Sequence, residues 1–348
     1  MLDLDKDDVV DTTGQSASLQ QEEDPQTVGG DAAQLTSASQ ARITASSGLF
    51  CRAARHLDAG DFEASVTHHA ITMPYPVTPT VTGFVPFNEP SECEPAHYVL
   101  AHGGYLAARM FHLSRTVPKA AMARKLRDEF AKKPNLNASD KLMLEADCFA
   151  SLLGQALVTE TESVVIYHAA SGLLFIGERS LSQAEASRAR LERLFPQLGP
   201  KRIRFQSTVS TTMTKWLFQD EAPAGFSFGQ AIKLLGEKGV SANLKKHKLQ
   251  DMTVMQHIKA GQKADEVEFV AVDQEFSLVM CNEGFFKRIG LKVGGRLVEQ
   301  SVPTMRERVK DFADALFPTA AALLQAAEPA PPLDLDIEAL WPAEDAEE

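Results

Sequence analysis

The sequence predicts an α+β fold built from antiparallel hairpin sheets with packed helices. Three observations carry this. Gly103-Gly104 separates the apolar runs 97–102 and 105–113, and a two-residue Gly-Gly turn between such runs is a hairpin signal because both positions need positive φ. A second hairpin pairs Ser163–Tyr167 with Leu173–Gly177 across Ala169–Gly172. Helix signals alternate with the strand signals, and antiparallel hairpins with interspersed helices indicate an α+β fold, with no solenoid period present.

Taken in order, Gly48–Arg52 reads as a short strand and Asp61–Ala70 as a helix. Six prolines from Pro74 to Pro95 confine that stretch to extended loop or sheet edge, since proline cannot donate to a ladder. Pro118 opens a helix to about Ala131, Ser139 caps a second one to about Gln155, and Ser182 caps a third to Phe195. Gly229–Glu237 reads as helical with Gly239 as its left-handed cap. Ser241–Leu249 then looks extended, Thr253–Ala260 helical, and Glu266–Val272 and Phe276–Cys281 strand-like.

The two ends differ from the middle. Residues 1–34 carry nine acids against one base and 328–348 carry eight acids and no base, so the ends together hold −16 and, with a formal net charge of −12, residues 35–327 are left at +4. Residues 1–40 are polar with no aromatic before Phe50, and such a segment buries too little apolar surface to offset its ordering entropy. It is expected to be disordered, as is the Pro- and acid-rich end apart from the apolar patch Leu333, Leu335, Ile337, Leu340 and Trp341.

Several function classes find no support. No run approaches eighteen apolar residues, so no membrane helix is expected, and the acidic start Met1–Asp5 is unlike a secretory signal. Cys51, Cys93, Cys148 and Cys281 are scattered, which fits neither a disulfide framework nor a zinc site and makes a reducing cytoplasm the default compartment. No GxGxxG follows a strand and no GxxxxGK[ST] occurs, so the cradle for a nucleotide phosphate is absent; Gly290–Arg296 has neither spacing. His68-His69, His97, His102 and His112 are the best metal candidates, yet adjacent helical histidines diverge by about 100°. No paired carboxylates of the two-metal type stand out. The sequence therefore nominates no catalytic residue, no metal site and no cofactor.

The basic residues are concentrated instead. Residues 109–133 hold eight bases (Arg109, Arg115, Lys119, Arg124, Lys125, Arg127, Lys132, Lys133) against two acids. Residues 233–263 hold seven (Lys233, Lys238, Lys245, Lys246, Lys248, Lys259, Lys263) against two. Such runs are often only solvated faces, but two of them in a chain whose acids sit at its ends point to backbone-phosphate binding. No base-reading motif accompanies them, so binding is expected to be indifferent to sequence.

The second half also carries a family resemblance. Thr214-Lys215-Trp216-Leu217, Gly239-Val240 ahead of Lys245-Lys246, His257-Ile258-Lys259-Ala260-Gly261-Gln262, and Val279-Met280-Cys281-Asn282-Glu283-Gly284 followed by Phe286-Lys287-Arg288-Ile289 occur in the order and near the spacing of the RdgC family. Gly83-Phe84-Val85-Pro86 is similar to that family's G-W-V-P, while Leu153-Gly154-Gln155-Ala156-Leu157 departs from its L-P-R-A-F. The resemblance covers about 44–325 and implies a ring-shaped homodimer that binds double-stranded DNA without sequence preference. It further implies functional antagonism of RecA, a cytoplasmic, nucleoid-associated protein, no membrane partner and no enzymatic activity.

Composition and the resemblance together divide the chain. Residues 1–40 and 327–348 would be acidic tails, 41–117 and 159–205 a central α+β domain, 118–158 a helical tip insertion and 206–326 a base α+β domain. The DNA-binding residues nominated are Lys245, Lys246, Lys248, Lys287 and Arg288, with Arg124, Lys125 and Arg127 as a second group. The alternatives are a recombination-regulating interaction module using the acidic tails, or a nuclease with an unrecognised metal site.

Overall fold

The structure is a computed structural model, and it describes residues 45–333 apart from 73–74, 89, 92–94, 134, 246–251, 273–275, 291–301 and 332. The first half runs β1 (Ser47–Arg52), α1 (Ala59–His68), β2 (Thr80–Val85), β3 (Val99–His102), β4 (Tyr105–Arg115), α2 (Lys119–Lys132), α3 (Ala138–Gln155), β5 (Val158–His168), β6 (Leu173–Gly177) and α4 (Leu181–Leu194). β7 (Lys201–Arg202) and α5 (Val209–Gln219) lead to β8 (Phe226–Leu235), a 3-10 turn at Glu237–Gly239 and β9 (Ser241–Lys245). The described chain continues with α6 (Met252–Lys259), β10 (Lys263–Ala271), β11 (Ser277–Cys281), β12 (Phe285–Gly290) and α7 (Val302–Ala326).

Among the described residues twelve strands form one sheet in the order β2-β4-β5-β6-β1-β12-β11-β10-β8-β9, with β3 beside β4 and β7 beside β1. The expected α+β class with antiparallel hairpins is what the structure has. Gly103 and Gly104 take φ of 56° and 82°, closing the β3–β4 turn as the sequence predicts. The proline-flanked β2 is an edge strand, again as predicted. The regions read as central and base share the sheet through β1 and β12, in the register Gly48↔Phe286. Gly48 has no room for a side chain there: a Cβ would stand 2.4 Å from the Phe175 ring. The α2–α3 hairpin connects β4 to β5 beyond the last pair of their ladder, Arg115↔Val158.

Alternating strand residues fill a core on each face. On one face Phe50, Phe175 and Phe286 meet Phe312 and Phe317 of α7, and Val267 and Phe269 share the same apolar cluster as Met213 and Leu217 of α5. Fully burying such side chains contributes about 1.5–3 kcal/mol each. Leu333, from the apolar patch near the acidic end, is buried in this cluster too. On the other face, Leu49, Leu106, Met110, Val165, Tyr167 and Ile176 form a cluster with Phe62 and Val66 of α1 and Ala184 and Leu191 of α4.

Some expectations are corrected. Gly229–Glu237 belongs largely to β8, not to a helix, although Gly239 does have φ of 78°. The register against β10 slips between Val267↔Ile232 and Phe269↔Phe228, which hides the two-residue alternation from a sequence reading. The Glu268 carboxylate accepts the N–H groups that this bulge leaves unpaired, from Gln230 at 2.7 Å and Ala231 at 2.9 Å. Gly229 is needed beside it, since a Cβ would lie 2.3 Å from the Glu268 side chain. The caps also move. Asn137 rather than Ser139 accepts the Asp140 N–H at 2.8 Å, and Ser180 rather than Ser182 accepts the Gln183 N–H at 3.3 Å. β12, α5 and α7 have no counterpart in the sequence reading. The 1–40 tail, Cys93 and the stretch beyond Lys245 of the expected Ser241–Leu249 strand lie outside the described residues.

Candidate nucleic-acid interface

The face of β8–β12 turned away from α5 and α7 is set by alternation. Ile232, Leu234, Val267, Phe269, Leu278, Met280 and Phe286 point into the core, so Lys233, Glu266, Glu268 and Lys287 point the other way. In the first half of the sheet this second face packs against α1 and α4. In the second half it carries half-exposed charged residues instead.

Two bulges crowd those charges together. The β10–β8 register shifts between Ala264 and Glu266, so Asp265 is an extra residue and both Asp265 and Glu266 reach Lys233. The β11–β12 register shifts between Ser277↔Gly290 and Val279↔Lys287, and Arg288 sits there at φ +48°, a left-handed conformation that costs a non-glycine residue about 1–2 kcal/mol. Core-facing Phe286 and Ile289 are consequently three residues apart, and consecutive Lys287 and Arg288 both turn to Glu266.

The resulting constellation is Lys287 Nζ to Glu266 Oε1 at 2.8 Å, Lys233 Nζ to the same oxygen at 3.7 Å, and Arg288 Nη2 to Glu266 Oε2 at 4.0 Å. Lys233 Nζ also donates to Asp265 Oδ2 at 2.5 Å. A small cleft lies alongside, lined by Lys233, Asn243, Glu266 and Arg288. Burial alone would raise the Glu266 carboxyl, but Lys287, Lys233 and Arg288 together hold it below the usual carboxylate range. Burial likewise pulls the Lys287 ammonium down, and the Glu266 hydrogen bond together with the attraction of the Cys281 and Glu266 charges leaves it raised overall. The constellation sets three cations against two carboxylates.

Of the nominated residues, Lys287 and Arg288 come together on this face. Lys245 ends β9 opposite Ala231, two strands from Glu266, which brings its backbone to the same sheet region. Lys246 and Lys248 lie outside the described residues. Lys233, Asp265 and Glu266 were not nominated, although the Ile232-Lys233-Leu234 alternation was a signal that could have placed Lys233 on a solvent face.

The second group is on α2. Arg124 and Arg127, one helical turn apart, are exposed, while Lys125 donates to Ser151 of α3 at 2.5 Å and ties the two helices together. The run of eight bases containing them needs correction at Arg109. That side chain is buried, donates to Glu162 at 2.8 Å and to the Pro86 carbonyl at 2.7 Å, and lies over the Phe111 ring at 5.4 Å. It serves the fold and is closed to any ligand. The hairpin also exposes apolar side chains, Leu142 and Met143 near the start of α3 and Leu157 just past its end.

No three His, Cys, Asp or Glu side chains converge to hold a metal ion among the described residues. Cys51 and Cys281 are buried free thiols, each pushed up to about 12 by desolvation. No described helix is long and apolar enough to cross a membrane.

Comparison with known proteins then bears on this geometry. Residues 49–325 match a family model described as "Putative exonuclease, RdgC". A "Recombination-associated protein RdgC" of Proteus mirabilis (strain HI4320) is 27% identical over 194 residues, covering 54% of this chain and 63% of that protein. The protein of the same name from Serratia proteamaculans (strain 568) is 27% identical over 186 residues, covering 52% and 60%. The Salmonella typhimurium one is 26% identical over 186 residues. The chain thus spans about three fifths of the length of these relatives.

Proposed function

The chain belongs to the RdgC family, and on that premise we propose that it binds double-stranded DNA without sequence preference. In this reading it acts as a ring-shaped homodimer that modulates RecA-dependent recombination by occluding DNA, without cutting it. The observation that carries the proposal is the charged sheet face, where a bulge turns Lys287 and Arg288 to the same side as Lys233. Flexible cations on an open surface suit phosphate oxygens, and neutralising phosphates releases counterions whatever the base sequence. The exposed Arg124 and Arg127 add a second cationic patch on the helical hairpin. Its exposed Leu142 and Met143 are suited to burial against a second copy.

The test is a salt titration of binding to several unrelated duplexes, with and without magnesium. The expected result is similar affinity for each duplex and a steep loss with salt, about 0.9 in log–log slope per phosphate contacted. The DNA should come back intact. A preference for one duplex that survives high salt, or magnesium-dependent degradation, would replace this reading with specific recognition or with a nuclease.

A further inference from the structure

We propose that the Glu266 carboxylate is a built-in competitor of the DNA backbone, which occupies the cations of the sheet face and so sets the affinity of the site. This rests on the DNA-binding reading above and adds to it an anion supplied by the protein itself.

The geometry is that of an occupied anion site. Glu266 offers Oε1 to Lys287 and Lys233 and Oε2 to Arg288, so one carboxylate takes up three cations from two other strands. Charge-assisted contacts of this kind are what a phosphate would seek from the same groups. The partners differ in how readily they can leave. Arg288 is the most exposed, at 56%, and the most distant; Lys287 is 39% exposed, whereas Glu266 is only 15% exposed. Glu266 is therefore fixed to the sheet while the cations can swing outward. When a phosphate arrives, the lysine and arginine can change partner, but the carboxylate stays and repels the newcomer.

The neighbouring acids do other work. Glu268 is held by the two backbone N–H groups of the β8 bulge, and Asp265 contacts Lys233 alone among these cations. A purely organising role for Glu266 predicts the opposite of competition, because losing the carboxylate would then scatter the cations and weaken binding.

The experiment compares the full chain with its Glu266→Gln variant, using fluorescence anisotropy on a short random-sequence duplex across a salt series. Competition predicts that Glu266→Gln binds about three- to tenfold more tightly at low salt, with a log–log salt slope steeper by about one phosphate contact. The gain should shrink as salt screens the site. A parallel thermal melt checks folding. If Glu266→Gln proves unfolded, Glu266→Asp keeps the charge but withdraws it by one methylene, and a smaller gain in the same direction is expected. Equal or weaker binding by a folded variant, with wild type binding normally, overturns this inference alone. Failure of the wild-type chain to bind duplex at any salt overturns the DNA-binding reading itself.

Discussion

Arg109–Glu162 and Lys287–Glu266 are ion pairs of the same length, 2.8 Å, in opposite halves of one sheet, and they do different jobs. Arg109 is closed in by Phe87 and Phe111 and spends a further N–H on the Pro86 carbonyl. The Arg109 side chain is only 7% exposed, so losing Glu162 would leave a buried guanidinium without its carboxylate, and an outside ligand cannot take that place. Lys287 shares its carboxylate with two other cations on a half-exposed face, where a single pair is worth about 0–1 kcal/mol. The same chemistry is locked where aromatic side chains exclude solvent and exchangeable where they do not.

The largest effect should come from breaking the locked pair. Arg109→Leu removes the buried guanidinium that serves both Glu162 and the Pro86 carbonyl and should destabilise the fold by about 3 kcal/mol. Chemical denaturation would measure this, and a loss under about 1 kcal/mol would mean that the two pairs are energetically alike. A functional comparison comes next. Replacing Lys245, Lys246 and Lys248 together by Ala should weaken duplex binding by about tenfold or more at low salt. The Arg188, Arg190 and Arg193 triple should weaken it less, because Arg188 is already engaged with Glu185 at 2.8 Å and Glu192 at 3.1 Å. Equal losses in a binding titration would show that the charge acts diffusely.

Lys287→Ala with Arg288→Ala should have a smaller effect on binding, about three- to fivefold, because Glu266 already neutralises part of that charge. Its unfolding free energy should stay within about 1 kcal/mol of wild type, in contrast to Arg109→Leu. The smallest effect expected is from Arg124→Ala with Arg127→Ala, about twofold in affinity with no change in melting, since both side chains are exposed. A loss from this pair larger than from Lys287 and Arg288 would move the main contact surface from the sheet to the helical hairpin.

By itself the sequence determined the local features. Gly103-Gly104 had to be a tight turn because few other residues accept positive φ at two successive positions. The prolines around β2 had to keep it at an edge, and the helical hairpin after Arg115 and the family membership were equally legible. The charge partition was legible as well, because it needs only counting. What only the tertiary structure decided is where non-local pairing and bulges intervene. β8 looked helical because Ala, Leu, Lys and Gln are good helix formers and its bulge breaks the alternation; ladders on both sides overrode that preference. The joining of the two halves depends on β1 meeting β12 more than two hundred residues later, a contact that no local pattern encodes. The fate of each charge was hidden in the same way. Arg109 looked like one base in a solvent-facing run until Glu162 and two phenylalanines enclosed it, and Lys287 and Arg288 could share a face only once a bulge turned the second of them. Burial and register are properties of pairs distant in sequence, and composition and period are properties of neighbours.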